Sequence, residues 1–319
     1  MSPDHCPCPR SNAGRSPCAG SACAEASGIL NIDKPEGWTS HDVVARVRRL
    51  TRQRRVGHAG TLDPLATGVL LICLGQATRV SEYLMEGRKR YWARIRFGTA
   101  TDTYDATGNV TYETPAIPSQ PEIEALLPRF EGRIMQAPPS FSALKVEGQP
   151  AYRLARRGEA VAQAPRPVEI YELRLLSWNP PDLELEVLCG KGTYIRSLAH
   201  DLGLAARSAA HLSALQRRAV GQFTIDEATP LEEFEILAEE GSWQSLLYPL
   251  DEALLQYAAL VVPAAAVERI VHGQPIEAGP VVEGELRRVY GPHGEFVALV
   301  QGDQGLGAWR PHKVFALCA

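Results

Sequence analysis

The sequence predicts an α+β fold, in which a large domain with a mixed or antiparallel sheet and flanking helices precedes a small β-barrel. Short apolar or alternating runs, such as residues 69–74 and 89–98, have the length and period of strands. They are interleaved with one-sided apolar stripes of helical spacing, such as Val43, Val44 and Val47. From about residue 257 onward the pattern changes to short strands with glycine turns, which is typical of a small barrel or sandwich.

Chain length and local composition indicate where the domains begin and end. The chain has 319 residues, and a single core stops growing at roughly 250–300 residues, so two domains are expected. Residues 1–27 are rich in Ser, Ala, Pro, Cys and Arg without an apolar period, which predicts a disordered N-terminal extension. The large domain is expected over residues 28–250 and the small one over residues 257–319.

The elements of the large domain follow from turn residues and periodicity. Ser40 is the predicted N-cap of the first helix. Thr229 is predicted to begin a later helix, because Glu232 supplies the acid of a capping box. Further helices are predicted at residues 78–85, 121–127, 151–157 and 193–206, and strands at residues 28–33, 69–74, 89–98, 170–178 and 183–189. The last two strands flank Asn-Pro-Pro-Asp and are expected to form a hairpin.

Composition is that of a soluble globular protein, at 45% hydrophobic and 22% charged residues. No apolar run approaches the ~20 residues that cross a bilayer, and the N-terminus lacks a signal-peptide core, so we expect a cytoplasmic protein without a membrane partner. The seven cysteines do not suggest a disulfide framework. Four of them have no standard zinc spacing, so no metal site is predicted; they are Cys6, Cys8, Cys18 and Cys23.

The net charge of −4 argues mildly against a nucleic-acid partner, but phosphate binding depends on where the cations lie. Clustered cations predict a basic groove, although a solvated face is the usual reading of a single such run. The clusters are Arg46, Arg48, Arg49, Arg52, Arg54 and Arg55; Arg88, Lys89 and Arg90; Arg153, Arg156 and Arg157; and Arg217 and Arg218.

A single acidic residue stands out in the stretch GHAGTLDPLATGVLLICLG at residues 57–75. Asp63 precedes Pro64, which biases it away from helix, and nearby glycines permit tight turns. A short buried strand is expected to follow at residues 69–74. An Asp-Pro pair is also common turn punctuation, but a carboxylate on a stiff loop beside a strand is a frequent way to display a reactive acid.

Five blocks resemble the TruB family of RNA pseudouridine synthases, in family order over most of residues 28–223. They are GILNIDKPEGWTSHDVV, GHAGTLDPLATG, KRYWARIRFGTATDTYDATG, APPSFSALKVEGQPAYRLARRG and CGKGTYIRSLAHDLG. The resemblance implies a pseudouridine-synthase catalytic domain, a C-terminal PUA-like RNA-binding module, and isomerisation of the T-loop uridine at tRNA position 55. This reaction has no redox, phosphoryl or metal step, so neither a cofactor nor a metal is expected. A monomer is expected because the sequence pattern shows no dimer seam.

The resemblance also assigns roles to particular residues. Asp63 matches the essential catalytic aspartate, as a nucleophile on carbon or as a base on the ribose. Arg196 matches the arginine that pairs with it, and a guanidinium fork suits a carboxylate. Tyr91 matches the tyrosine that stacks on the flipped uracil, His58 the histidine that packs against the T loop, and Leu215 an apolar residue of the uracil pocket.

Three other functions are compatible with parts of the sequence. Asp102 and Asp105 form a pair of acids that suits a glycoside or nucleoside hydrolase, although we expect them to be loop acids that support RNA contact or packing. A tRNA-folding helper with incidental catalysis is an alternative from another class. A guide-RNA-dependent synthase is disfavoured by the bacterial-type blocks and by the absence of a lysine-rich tail.

Overall fold

The computed structural model describes residues 26–139, 141, 145–146, 149–150 and 163–315. Its strands are β1 (Gly28–Lys34), β2 (Val56–His58), β3 (Ala66–Leu74), β4 (Lys89–Phe97), β5 (Thr99–Thr101), β6 (Val110–Glu113), β7 (Gly132–Gln136), β8 (Lys145–Val146), β9 (Gln149–Pro150), β10 (Arg166–Asn179), β11 (Asp182–Cys189), β12 (Ala210–Val220), β13 (Phe223–Thr224), β14 (Thr229–Pro230), β15 (Ala258–Val261), β16 (Leu286–Tyr290), β17 (Phe296–Asp303) and β18 (Ala308–Val314). Its α-helices are α1 (Ser40–Thr51), α2 (Ser81–Glu86), α3 (Gln120–Leu126), α4 (Ile195–Ala205), α5 (Leu231–Glu240) and α6 (Ala264–Val271).

A mixed sheet forms the centre of the molecule, in the order β14-β1-β3-β12-β4-β11-β10-β7, with β2 on β3 and β13 on β12. Most neighbours are antiparallel, but β12 runs parallel to β3, with Leu215 opposite Ala66. On its other edge β12 runs antiparallel to β4, with Arg217 opposite Tyr91. Residues from distant parts of the sequence therefore meet at β12. The loop between β2 and β3 lies beside them.

One face of the sheet carries the main core. Alternation along β4 turns Tyr91, Ala93 and Ile95 inward and the intervening Trp92 and Arg94 outward, as the sequence period predicts. Helix α4 packs on β12, and α5 packs on β1 and α1. The predicted hairpin is confirmed as β10 and β11, with Asn179 opposite Asp182.

The N-cap of helix α1 lies one residue earlier in the chain than predicted. The N-cap is Thr39, whose side chain accepts a hydrogen bond from the Asp42 amide while the Asp42 carboxylate accepts one from the Thr39 amide. Ser40 is not the cap. Its hydroxyl instead accepts from the Leu62 amide at 2.8 Å and donates to the Leu62 carbonyl at 3.1 Å, which ties the helix start to the loop at Asp63.

The capping-box prediction at Thr229 is wrong. Thr229 and Pro230 form β14, which pairs in parallel with Ile32 and Asp33 of β1, and α5 begins at Leu231 without a side-chain cap. The predicted helix at residues 151–157 lies outside the described residues, as does most of the predicted extension at residues 1–27. The described chain begins at residue 26, and Ser27 Oγ accepts a hydrogen bond from the Gln76 amide at 3.0 Å.

The C-terminal residues form a four-stranded sheet in the order β15-β16-β17-β18, with α6 against it. The described strands do not close into a barrel, so the predicted PUA-like barrel is not confirmed. Leu299 of this sheet and Phe315, which directly follows β18, join a core cluster with Ile29, Val69 and Leu71 of the main sheet. The helices in the described part of the chain include none that is long and apolar enough to cross a membrane.

Candidate functional site

Asp63 lies on a turn that is fixed from several sides. The Asp63 carbonyl accepts the Ala66 amide at 3.0 Å, and the Pro64 carbonyl accepts the Gly37 amide at 2.8 Å. Gly68 has φ +100, and a Cβ there would come within 2.3 Å of the Arg217 carbonyl oxygen. Only glycine allows β3 and β12 to approach so closely. Backbone hydrogen bonds and this close approach therefore hold the turn that carries Asp63.

The predicted pairing of Asp63 with Arg196 is present in the structure. Arg196 Nη2 donates to Asp63 Oδ1 at 3.1 Å, and Arg196 Nε lies 2.9 Å from Asp63 Oδ2. The Asp63 side chain keeps 36% of its accessible surface, but the Arg196 side chain keeps only 6%. The guanidinium is thus a buried support, whereas the carboxylate is half-buried and keeps part of its surface at the cavity.

A second carboxylate supports the same arginine. Arg196 Nη1 lies 3.5 Å from Asp105 Oδ2 and donates to the Thr103 carbonyl at 3.2 Å. Asp105 is buried, and its Oδ1 also accepts the Thr107 amide at 3.0 Å. Asp102 instead accepts the Asn109 amide at 2.9 Å. Asp105 is therefore a packed support for Arg196, and Asp102 holds its own loop, which agrees with their expected role as supporting acids.

A cavity of about 570 Å³ opens beside Asp63. Asp63, Tyr91, Arg196 and Leu215, all predicted from the sequence, contribute to its lining. Tyr91 and Leu215 are buried and lie on the neighbouring strands β4 and β12. A volume of this size falls in the usual range of roughly 300–1,000 Å³ for ligand pockets. An acid, an aromatic ring and an apolar wall thus meet in one open cavity.

His58 is the predicted site residue that does not line this cavity. It lies at the end of β2, where its ring meets His41 edge to face at a centroid distance of 6.0 Å. Burial, with smaller contributions from His41 and Arg217, lowers the pKa of His58 below its ordinary value. The imidazole is therefore neutral at pH 7, which suits packing more than proton transfer.

Burial raises the pKa of the Asp63 carboxyl above its usual value, and Arg196 opposes that shift. The same cause raises the pKa of Tyr91, so its phenol stays protonated at neutral pH. Burial also lowers the pKa of Lys34 to about 8, and the Asp63 charge opposes this shift. Lys34 donates to the Trp38 carbonyl at 2.7 Å and to the Pro64 carbonyl at 3.4 Å. It therefore holds the loop from beneath.

Arg217 was predicted as a cation of a basic groove, and the structure corrects that prediction. It is buried, and its guanidinium donates to the carbonyls of Val69 at 2.7 Å, Gly60 at 3.0 Å and Thr61 at 3.4 Å. Arg217 thus braces both ends of the Asp63 loop. The sequence does not reveal that a basic residue will be buried and will bind loop carbonyls. For the same reason the sequence does not indicate the role of Lys34.

Other members of the predicted basic groove are also engaged. Arg46 pairs with Glu235 across α1 and α5. Two arginines form ion pairs with Glu186. Arg90 Nη1 lies 2.8 Å from Glu186 Oε1, and Arg218 Nη1 lies 3.8 Å from Glu186 Oε2. The residues 153, 156 and 157 lie outside the described chain. Within the described residues, no group of three His, Cys, Asp or Glu side chains is placed to hold a metal ion.

Comparison with known proteins gives the family. Residues 48–195 match the N-terminal domain of TruB family pseudouridylate synthases, and residues 196–255 match the C-terminal domain of tRNA pseudouridylate synthase B. A tRNA pseudouridine synthase B of Dehalococcoides mccartyi is 42% identical over 289 residues, covering 90% of this chain and 96% of the relative. A tRNA pseudouridine synthase B of Stutzerimonas stutzeri is 41% identical over 278 residues, which cover 86% of this chain and 91% of the relative.

Solved structures agree with this assignment. A structure of an H/ACA RNP bound to a substrate RNA containing 2'-deoxyuridine aligns with a TM-score of 0.70 at 25% identity, covering 91% of this chain and 85% of that one. A Cbf5-Nop10-Gar1 complex aligns with a TM-score of 0.69 at 27% identity, over the same shares. The matched domains, the relatives and the fold lead to one conclusion: the chain belongs to the TruB family of pseudouridylate synthases.

Proposed function

We propose that the protein isomerises uridine to pseudouridine at position 55, in the T loop of tRNA, as a monomer and without a cofactor. The observation that carries the proposal is the Asp63–Arg196 pair, with Nε and Oδ2 2.9 Å apart, at the opening of a cavity lined by Tyr91 and Leu215. The reaction needs a carboxylate near the ribose and a pocket that holds an extruded base away from water. The Asp63 carboxylate and the cavity beside it support this assignment.

Each predicted residue has a role that fits its environment. Asp63 is the essential carboxylate, and its partial exposure lets it reach the ribose. Arg196 fixes its orientation and favours its ionised form. Tyr91 supports the base through its ring, and Leu215 adds an apolar part of the cavity wall. His58 lies outside the cavity lining, where we assign it to contact with the loop that the uridine leaves.

The reaction changes bonds at one nucleoside only. The bond from N1 to C1' breaks, the base turns, and a bond from C5 to C1' forms, while a proton leaves C5 and another is gained at N1. The atoms of substrate and product are the same, so no co-reactant is consumed. A base must first leave its stack, which costs a few kcal/mol and is least costly in a loop.

The relatives favour tRNA over a guided RNA as the substrate. Proteins named tRNA pseudouridine synthase B share 42% identity over 96% of their length, whereas the chain in the H/ACA particle shares 25%. We therefore assign residues 28–250 to the catalytic domain that acts on tRNA directly. We also propose that residues 257–319 form a PUA-like module that contacts RNA, and that residues 1–27 are an extension outside both domains.

Incubation with an unmodified tRNA transcript tests the proposal. After carbodiimide treatment, primer extension should stop at a single T-loop position, and an otherwise identical transcript with cytidine at that position should give no stop. Modification elsewhere in the tRNA, or none with a correctly folded transcript, would contradict the assigned substrate.

An Asp63→Asn variant separates catalysis from the tRNA-folding helper role. It should bind the transcript with a Kd within about threefold of the wild type, because it removes the reactive carboxylate without removing the RNA-contacting surface. It should form no pseudouridine. If cells whose own enzyme is deleted recover fully with this variant, the helper role accounts for the cellular function.

A further inference from the structure

Two basic residues in the wall of the cavity are buried, whereas basic side chains are usually exposed to solvent. Lys89 keeps 6% of its accessible surface and Arg217 keeps 1%, and both line the cavity beside Tyr91. Lys89 and Tyr91 are two residues apart on β4 and point to the same face. Arg217 lies directly opposite Tyr91 on β12. The ring expected to support the base is therefore flanked by two buried positive charges.

In the ranges that the structure describes, no carboxylate lies within ion-pair distance of either cation. Arg217 donates to the carbonyls of Val69, Gly60 and Thr61. Lys89 donates to the Met85 carbonyl, which leaves two of its three N–H groups for another acceptor.

The carboxylates of the cavity are already engaged. Glu86 Oε1 accepts from Lys191 Nζ at 2.5 Å, and Asp63 is paired with Arg196. The wall beside Tyr91 therefore holds positive charge that the described residues do not neutralise.

Such a charge is costly to bury. An isolated ammonium in an apolar environment loses most of its favourable interaction with water. Burial and the neighbouring Arg217 lower the pKa of Lys89 to about 8, so most of it remains charged at pH 7. A cation held at this cost next to a ligand pocket is a common way to stabilise negative charge that develops during a reaction.

We propose that Lys89, with Arg217 behind it, holds the negative charge on the base between its release and its reattachment. The inference rests on the proposed isomerisation. When the bond from N1 to C1' breaks, its electron pair stays on the base and spreads over N1 and the carbonyl oxygens O2 and O4. C5 then donates a pair to C1', the C5 proton leaves, and N1 gains a proton. Lys89 stays protonated throughout and acts by contact with a carbonyl oxygen.

Strand geometry supports a direct contact. Side chains two residues apart on one face of a strand are roughly 7 Å apart, a distance that an extended lysine side chain covers. A base stacked on the Tyr91 ring would therefore present its edge within reach of the Lys89 ammonium. Arg217 is held by backbone carbonyls, and its charge reaches the base through space.

Three substitutions at Lys89 test the inference. Lys89→Met removes the charge, Lys89→Gln also keeps a donor for the Met85 carbonyl, and Lys89→Arg keeps the charge. The matched control is Arg96→Met, which removes an exposed cation on the outward face of the same strand. The measurements are the single-turnover rate constant of pseudouridine formation at saturating enzyme, the Kd for the tRNA transcript, and the Tm.

Loss of the charge should lower the rate constant by about 100-fold in the Met and Gln variants. Lys89→Arg should lose less than about tenfold, and the Kd should stay within about threefold for all variants. The Tm of Lys89→Met should be unchanged or higher, because a buried unpaired charge is removed. Arg96→Met should match the wild type in rate.

Wild-type rates in both Lys89→Met and Lys89→Gln would overturn the inference, as would a rate loss accompanied by an equal loss of tRNA affinity. If Lys89→Met does not fold, Lys89→Gln decides. A wild-type protein that forms no pseudouridine in tRNA would instead overturn the proposed function, so the two failures are distinguishable.

Discussion

At the scale of single residues, Asp63 is subject to two opposing effects on its pKa. Removal from water raises the pKa of the carboxyl and the charge of Arg196 lowers it, and the first effect is the larger. Asp105 raises it further, although Asp105 also holds Arg196 in place. The result is an acid that titrates above its ordinary value of 3.8.

This direction predicts the pH dependence of the reaction. Asp63 must be ionised to act as a nucleophile or base, so the single-turnover rate should fall as the pH falls through its raised pKa. Below that pKa the loss should approach about tenfold per pH unit. A pH–rate profile at saturating tRNA, with circular dichroism as the control for folding, measures it. A rate that stays flat down to pH 4 in folded protein would contradict a raised pKa.

Motifs in the sequence single out Asp63, Arg196, Tyr91 and Leu215, and the structure brings all four to one cavity. Their roles in the reaction stay predictions. Arg217 was predicted wrongly, since its neighbours in the sequence look like an exposed basic run. Its burial depends on carbonyls at Gly60, Thr61 and Val69, which come close only when β12 runs beside β3. Such long-range contacts have no local sequence signal.

At the scale of elements, the site depends on three adjacent strands. Strand β12 contributes Leu215 and Arg217, and its neighbours β3 and β4 contribute the Asp63 loop and Tyr91. β12 was not predicted from the sequence. Register shifts between Leu212 and Ala214 and between Arg217 and Ala219 interrupt its pairing with β4. These irregularities break the alternation of period two on which strand prediction relies.

The close approach of β3 and β12 gives a test at this scale. Gly68→Ala should lower the free energy of unfolding by roughly 3 kcal/mol or more, because its Cβ would collide with the Arg217 backbone at φ +100. Thermal and denaturant unfolding measure the loss.

Gly57→Ala is the matched control for that substitution. A Cβ at Gly57 would meet no atom within 4 Å, and its φ lies outside the left-handed region. Its stability should therefore stay within about 1 kcal/mol of the wild type. Equal stability of the two variants would show that the approach of the strands does not constrain position 68.

At the scale of the whole molecule, the C-terminal sheet is attached through a shared core. Leu299 and Phe315 pack in one cluster with Ile29 and Val69 of the main sheet. Lys313 adds polar contacts, since it donates to the Arg79 carbonyl at 2.6 Å. The sequence predicts two separate domains, because its pattern changes to short strands with glycine turns near residue 257. It gave no sign of the shared core, which depends on which apolar faces meet in space.

The shared core predicts a single cooperative unfolding transition. Leu299→Ala should lower the free energy of unfolding by about 2–5 kcal/mol and shift the transition of the whole chain. Val261→Ala, at a side chain that is 75% exposed in the same sheet, should have little effect. Calorimetry measures both. If Leu299→Ala produced a separate early transition, the C-terminal sheet would be an independent unit.

The most direct test of the account follows hydrogen at C5 of uridine. A tRNA transcript with tritium at C5 of every uridine loses one label when C5 becomes bonded to C1'. The wild type should release the label of one uridine per tRNA under single-turnover conditions, and Asp63→Asn should release none while still binding the transcript. Tritium release by Asp63→Asn at the wild-type rate would contradict the claim that a carboxylate held by Arg196 performs the reaction.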